Sequence, residues 1–336
     1  MADKFDVGMW RCVMSKKEIL LETSHLSVNF PVNKALPFQK TKYVQALTDV
    51  SIQIYKGETF GLVGESGCGK STFANASLGI LKPTEGNVLF KGEDINHISQ
   101  DKMKVLRKDM QKIFQNPAAS LNPRFHVLDL ISEPLLIRGG YSAEERKEMT
   151  IRMLENVGLR EADLYRYPSD FSGGQQQRIA IARALILYPD YLVCDEPVSA
   201  LDVSVHAQIL NLLMDMQKQM GTTYLFISHN LAVVKKICER MAIMYLGKVV
   251  EYGSADKIFA NPRHPYTKAL VSAVLDIDVD EKKERVTLVG DVASPIDPPK
   301  GCRFCTRCPM VAADCSIVES PLIEVEAEHF VACRYA

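Results

Sequence analysis

Several things are missing from this 336-residue chain, and each absence narrows its class. It has no long apolar run free of charge, so no transmembrane helix is expected and any membrane role must come through partners. Lys plus Arg (40) nearly balance Asp plus Glu (41), and no basic excess points to nucleic acid. The first residues lack the apolar core of a secretory signal. Met1 to Val13 is mixed in character, and a second Met-Ser-Lys-Lys appears at Met14, where the folded part is expected to begin. There is no internal repeat, no low-complexity tract and no dinucleotide fingerprint, which leaves little ground for a redox enzyme. What remains is a 47% hydrophobic chain, long enough for about two domains and a sizeable core.

The nine cysteines are unevenly spread. Cys12, Cys68, Cys194 and Cys238 are scattered, whereas Cys302, Cys305, Cys308, Cys315 and Cys333 crowd the end of the sequence. Without a secretion signal such a cluster reads as metal binding before disulfides.

The strongest motif is Gly64-Glu65-Ser66-Gly67-Cys68-Gly69-Lys70-Ser71, which satisfies the phosphate-loop pattern G-x-x-x-x-G-K-[ST]. A strand-like run, Thr59 to Val63, precedes it, and a helix-like run from Thr72 to Leu81 follows. Glycines let backbone N–H groups turn inward around an anion, and the helix adds its positive end. Lys70 would reach the β- and γ-phosphates, while the Ser71 hydroxyl would ligate Mg²⁺. A second element, Tyr191 to Pro197, is an apolar strand ending in Asp195 and Glu196. Asp195 is expected to hold Mg²⁺ through water, and Glu196 to orient and deprotonate an attacking water.

Other elements follow from local pattern. Ile19 to Phe30 and Val44 to Ile54 read as strands joined by the polar loop Pro31 to Lys42, with Tyr43 at its end. Tyr43 is either a base-stacking aromatic or an ordinary half-buried strand residue. Asn87 to Phe90 reads as a short strand, and Ile113 to Pro117 as a strand end entering a loop. From Val127 to about Tyr165 the pattern is helical and amphipathic. Ser172-Gly173-Gly174-Gln175 precedes a helix expected over Ile179 to Leu187, with Ser172 as its N-cap. Val205 to Gln219 is a further helix, Thr222 to Ser228 a strand ending at His229, and Met241 to Tyr252 a hairpin through Leu246-Gly247. A histidine at such a strand end lies where open α/β sheets bind ligands.

The phosphate loop, Ser172-Gly173-Gly174-Gln175 and Asp195-Glu196 together resemble the ATP-binding cassette (ABC) ATPases, over about Ile19 to Leu270. Phe171 stands where that family's signature usually begins with Leu. The resemblance implies an α/β phosphate-loop NTPase core with an antiparallel β subdomain, a helical signature subdomain and a small Cys-rich extension. The implied division is 1–15 extension, 16–270 nucleotide-binding domain and 271–336 Cys-rich extension. It also implies ATP contacts from Tyr43, Gly64, Ser66, Gly67, Cys68, Gly69, Lys70, Ser71 and Thr72. Gln115 would touch Mg²⁺ and face a transmembrane partner, Asp202 would lie at a dimer interface, and His229 would contact the γ-phosphate beside Glu196. Two cassettes would sandwich two ATPs, with Ser172, Gly173, Gly174 and Gln175 completing the partner's site.

The tail, from Gly301-Cys302 through Cys333, is similar to that of oligopeptide and dipeptide importer ATPases. Asn261 to Thr267 and Asn116 to Pro123 resemble theirs too. In that branch the cysteines matching Cys302, Cys308, Cys315 and Cys333 hold a [4Fe–4S] cluster. Cys305 makes the run C-x₂-C-x₂-C, so the choice of four ligands from five stays open, as does Zn²⁺ in place of iron. The tail has too few apolar residues for a core of its own, so a metal staple is expected. The implied partners are two permease subunits, a second, non-identical cassette ATPase and an extracytoplasmic solute-binding protein, at the cytoplasmic face of the inner membrane. Nickel, oligosaccharide and glutathione are alternative solutes. A soluble cassette acting on DNA or ribosomes would usually show two cassettes, a coiled-coil insertion or a basic face.

Overall fold

The computed structural model describes residues 17–32, 41–274, 288 and 290–336, and of Val203 the backbone alone. The extension 1–15 with Cys12 and the start near Met14, most of the loop Pro31–Lys42, and the linker Asp276–Glu284 lie outside the described residues.

Two long strands, β1 (Ile19–Pro31) and β2 (Tyr43–Tyr55), pair antiparallel with several register shifts. β3 (Thr59–Val63) is buried at every position and feeds the phosphate loop, and α1 (Lys70–Ser77) follows. β4 (Glu85–Phe90) and β5 (Glu93–Asp94) complete a first sheet, ordered β2-β1-β4-β5. α2 (Gln100–Leu106), capped by Ser99, buries none of its residues, so hydrophobic periodicity gives no sign of it.

β6 (Met110–Ile113) leads to the short α3 (Pro117–Ser120), whose N-cap is the Asn116 side chain. The amphipathic stretch from Val127 divides into α4 (Val127–Arg138) and α5 (Ala143–Asn156). Gly139 and Gly140 break it with φ of 74° and 85°, and a Ser142–Glu145 capping box restarts it. α6 (Gly173–Leu185) begins earlier than the expected Ile179. Ser172 and Gln175 form a capping box that offsets the poor helix propensity of the two glycines.

β7 (Tyr191–Asp195), α7 (Val203–Met220), β8 (Thr223–Ser228), α8 (Leu231–Ile237), β9 (Arg240–Tyr245) and β10 (Lys248–Ser254) build the rest of the cassette. α9 (Ala255–Ala260) and α10 (Pro265–Ser272) follow, and the tail adds β11 (Ile323–Glu326) and β12 (His329–Val331).

The second sheet runs β11-β12-β10-β9-β3-β8-β7-β6. Strands β9, β3, β8, β7 and β6 are parallel, and β10, β12 and β11 join antiparallel. Its central strands are covered on both faces, and their side chains alternate between two cores. Phe60, Leu62, Val193, Leu225 and Ile227 face α1 and the first sheet. Leu192, Cys194, Tyr224, Phe226 and Ile243 face the layer of α4, α6 and α7.

The tail builds no core of its own. β12 pairs with β10 over Glu251 to Gly253, and Phe304, 1% exposed, packs against Tyr245 and Tyr266 with ring centroids 5.1 and 5.4 Å away. His329 Nε2 and Glu251 Oε1 are 2.7 Å apart, with neither side chain exposed. The Glu251 carboxylate also accepts the backbone N–H groups of Arg263 and His264. Docking on the cassette supplies the apolar contacts that the tail sequence lacks.

Candidate functional site

The parallel strands bring their C-terminal ends to one edge of the sheet. β3 ends in the phosphate loop, β7 in Asp195-Glu196, β8 just before His229, and β6 just before Gln115. The loop demands glycine at position 69, where φ is 108° and an added Cβ would lie 2.4 Å from the Ala46 carbonyl oxygen. Lys70, 5% exposed, donates to the Gly64 and Glu65 carbonyl oxygens at 2.7 and 2.9 Å. Its ammonium is thus held over the loop, ready to exchange those carbonyls for phosphate oxygens. Burial pushes the Cys68 thiol up, so Cys68 is a neutral gap-filler beneath the loop.

The acidic end of β7 is held from two sides. Lys112 Nζ lies 2.8 Å from Asp195 Oδ2, with both side chains nearly buried, and it also donates to Asn75 Oδ1 on α1. Gln115 Nε2 donates to Glu196 Oε2 at 2.9 Å, and His229 Nδ1 lies 3.3 Å from Glu196 Oε1. Glu196 has a φ of 47°, uncommon for a residue with a Cβ, and this turns the chain sharply at the strand end. Ser71 and Asp195 offer hard oxygen donors of the kind Mg²⁺ takes.

Gln115, Asp195, Glu196 and His229 therefore gather at one edge beside Lys70. Ser172, Gly173 and Gln175 stand exposed at the start of α6, with Gly174 partly covered. Among the described residues no hydrogen bond or ion pair joins that segment to the phosphate loop. Tyr43 opens β2, 48% exposed, and Asp202 is the exposed N-cap of α7. Sequence reasoning missed Lys112, whose signal was a cation inside an apolar strand. It also missed Tyr266, whose hydroxyl accepts the Glu65 N–H at 3.0 Å.

Cys302, Cys305, Cys308, Cys315 and Cys333 all line one small cavity of about 20 Å³ under the tail. Burial pushes the Cys302 thiol up to about 11, with Cys305, Cys308 and Cys333 adding in the same direction. The Cys315 sulfur accepts the Ala312 N–H at 3.5 Å. Soft thiols in this number match iron–sulfur or zinc chemistry. Even so, no three His, Cys, Asp or Glu side chains among the described residues are drawn together tightly enough to hold a metal ion. Also among the described residues, no helix is long and apolar enough to cross a membrane.

Residues 47–199 match the ABC transporter family, and residues 250–315 match the family described as oligopeptide/dipeptide transporter, C-terminal region. The chain is 48% identical over 326 residues to the oligopeptide transport ATP-binding protein OppF of Haemophilus influenzae, covering 96% of this chain and 98% of the relative. It is 47% identical to the di/tripeptide transport ATP-binding protein DppF of Pseudomonas aeruginosa, covering 95% and 98%. Among solved structures, the ATP-binding cassette MJ0796 in a dimeric post-hydrolysis state with ADP and Pi matches with a TM-score of 0.62 at 30% identity, covering 70% of this chain and 99% of that one. The cbiO1 protein of Clostridium perfringens, part of the cbiONQ transporter complex, matches with a TM-score of 0.63 at 27% identity, covering 73% and 92%. The family implies ATP and Mg²⁺ as ligands and membrane permease subunits as partners. From sequence and fold alike, this chain belongs to the ABC transporter ATPases, in their oligopeptide/dipeptide branch.

Proposed function

We propose that this chain is the ATP-hydrolysing subunit of an importer of dipeptides and oligopeptides. The observation that carries the ATPase reading is the Glu196 carboxylate, held between Gln115 and His229 at the strand edge that also carries Lys70. Lys70 leaves the loop carbonyls to bind the β- and γ-phosphates, and the amides from Gly64 to Ser71, with Thr72 at the helix start, cradle the anion. Ser71, Gln115 and Asp195 would hold Mg²⁺, which would supply charge neutralisation at the phosphates. Glu196 takes the proton of the attacking water, and His229 orients the γ-phosphate. Tyr43 stacks on the base.

Ser172, Gly173, Gly174 and Gln175 serve the ATP of a second, non-identical cassette, and Asp202 lies at the seam between the two. Their exposure, and their lack of bonding to this chain's own loop, support that reading. Beside Phe114 a groove carries exposed Ile80, Val105 and Ile137 among the cations Lys104, Arg107, Lys108, Arg138 and Arg183, a mixed apolar and basic surface suited to a segment of a permease. With two permease subunits and an extracytoplasmic binding protein, the assembly lies peripherally on the cytoplasmic face of the inner membrane.

In the tail, Cys302, Cys308, Cys315 and Cys333 would hold a [4Fe–4S] cluster, for which Cys305 is a competing ligand and Zn²⁺ a competing metal. The group would act as a cross-link that draws four of the five thiols together, a structural role separate from ATP chemistry. Domain limits of 16–270 and 271–336 follow this division of roles.

The test is copurification from a detergent extract, followed by ATP turnover in the assembled complex. Recovery with permease subunits, and turnover raised by a peptide-loaded binding protein, are expected. Recovery with ribosomes or DNA, or turnover indifferent to peptide, would overturn the reading. Anaerobically purified chain should carry about four irons. Stoichiometric zinc would replace the iron assignment, and a metal-free chain with a folded tail would remove the staple.

A further inference from the structure

The phosphate loop is held partly by the Cys-rich tail. Glu65, the second residue of the loop, is a junction: its N–H donates to Tyr266, while its carbonyl accepts from Cys68 N at 3.3 Å and from Lys70 Nζ at 2.9 Å. Its carboxylate accepts from Arg307 NH1 at 2.9 Å, with the two side chains 10% and 30% exposed. Arg307 comes from the run Cys302-Arg303-Phe304-Cys305-Thr306-Arg307-Cys308, and its guanidinium lies 5.9 Å from the centre of the Tyr245 ring.

That run is itself anchored. Arg303 is buried and bonds the Leu246 carbonyl, Gln45 Oε1 at 2.6 Å and Thr48 Oγ1 at 2.8 Å. Between the two arginines Phe304 packs on Tyr266, the same residue that holds the Glu65 N–H. The tail thus reaches Glu65 twice, directly through Arg307 and through Phe304 and Tyr266.

We infer that Arg307 is a positioning residue for the nucleotide: it neutralises and fixes Glu65, so that the phosphate loop offers Lys70 to an anion without a free carboxylate beside it. The inference rests on the ATP-binding reading of the loop. The physical reason is charge. Glu65 would repel nucleotide phosphates, and a partly buried guanidinium paired with it offsets that repulsion at close range. A passive strut and a charge partner make opposite predictions for Glu65. Losing either end of a strut loosens the loop, whereas losing the carboxylate of a charge pair favours anions.

The test uses the full chain, purified anaerobically, with trinitrophenyl-ATP as probe and ATP, ADP and adenosine as competitors. Arg307→Ala should weaken ATP by about three- to tenfold, ADP less and adenosine least. Glu65→Gln should bind ATP as well as or better than the unchanged protein, and should restore affinity when added to Arg307→Ala. Arg307→Lys should retain most of the affinity. Weakening by Glu65→Gln as well as Arg307→Ala, or equal loss for ATP and adenosine, would overturn the charge role. If Lys70→Ala loses ATP binding while Arg307→Ala does not, the inference falls and the ATP site stands. If neither variant changes ATP binding, the site reading falls and takes the inference with it.

Discussion

Gln115 and Glu196 are joined side chain to side chain, Nε2 to Oε2 at 2.9 Å, across 81 positions of sequence. Gln115 follows Phe114, which lines the groove, and is also bonded to the acid at the end of β7. Glu196→Gln should keep ATP affinity but lower turnover by about 10²–10⁴-fold, since the water loses its base. ATP-dependent dimers should accumulate in size-exclusion chromatography. Phosphate release at the unchanged rate would remove Glu196 from that role.

Lys70→Ala should weaken ATP by about ten- to a hundredfold, because a charge-assisted contact to the phosphates is lost. The fold should survive, since the ammonium bonds the loop's own carbonyls and no distant element. Equilibrium titration with a labelled nucleotide reads the change; equal affinity would contradict the assignment.

Acid should loosen the base of α10. Burial, with a smaller contribution from Lys268, lowers His264 to about 3, and its Nδ1 accepts the Tyr266 N–H, which requires a neutral ring. The unfolded chain binds this proton near pH 6.5 and the folded chain does not. The neutral ring's contribution is thus fully present above about pH 6.5 and is lost progressively as pH falls toward 3. At pH 5 the cost is about 2 kcal/mol. His264→Asn, which keeps a capping side chain, should flatten the fall in unfolding temperature between pH 7 and 5 relative to the unchanged protein. Parallel curves would show that the ring carries none of the acid sensitivity.

His329→Ala should cost about 1–3 kcal/mol in denaturant unfolding, because the buried Glu251 carboxylate keeps its two backbone donors but loses a third partner. A loss under about 0.5 kcal/mol would mean that strand pairing alone docks the tail.

If the Ser172 segment serves another, non-identical cassette, as proposed, the purified single chain should be a weak ATPase. Full turnover at nanomolar concentration would speak against that division of labour.

How much was legible depended on how local each signal was. The run from Thr59 to Ser71 carries its strand, loop and helix in contiguous residues, and the pattern of Tyr191 to Glu196 is equally compact. Helix ends were less legible: Ser172 is the expected N-cap, but the helix it caps begins at Gly173, ahead of the expected Ile179. α2 stayed hidden because none of its residues is fully buried and only Met103 and Leu106 pack against the core. The roles of Lys112, Arg303 and Arg307 were not legible, since each finds its partner across the fold, Arg307 across 242 positions. The same distance hid part of what holds the tail. Its few apolar residues gave no sign that Phe304 and His329 would find partners on the cassette.

The pairing of β12 with β10 also has a consequence for synthesis. β10 leaves the ribosome well before β12 exists, so the main sheet emerges with an open row of backbone donors and acceptors. Only β12, made later, closes that row. A chain cut short by nonsense mutation or proteolysis before His329 would retain every ATP motif and yet expose a sheet edge able to pair with its own copies. Clearance by cellular proteases, or aggregation, would then remove it before it could occupy a transporter with a half-built subunit.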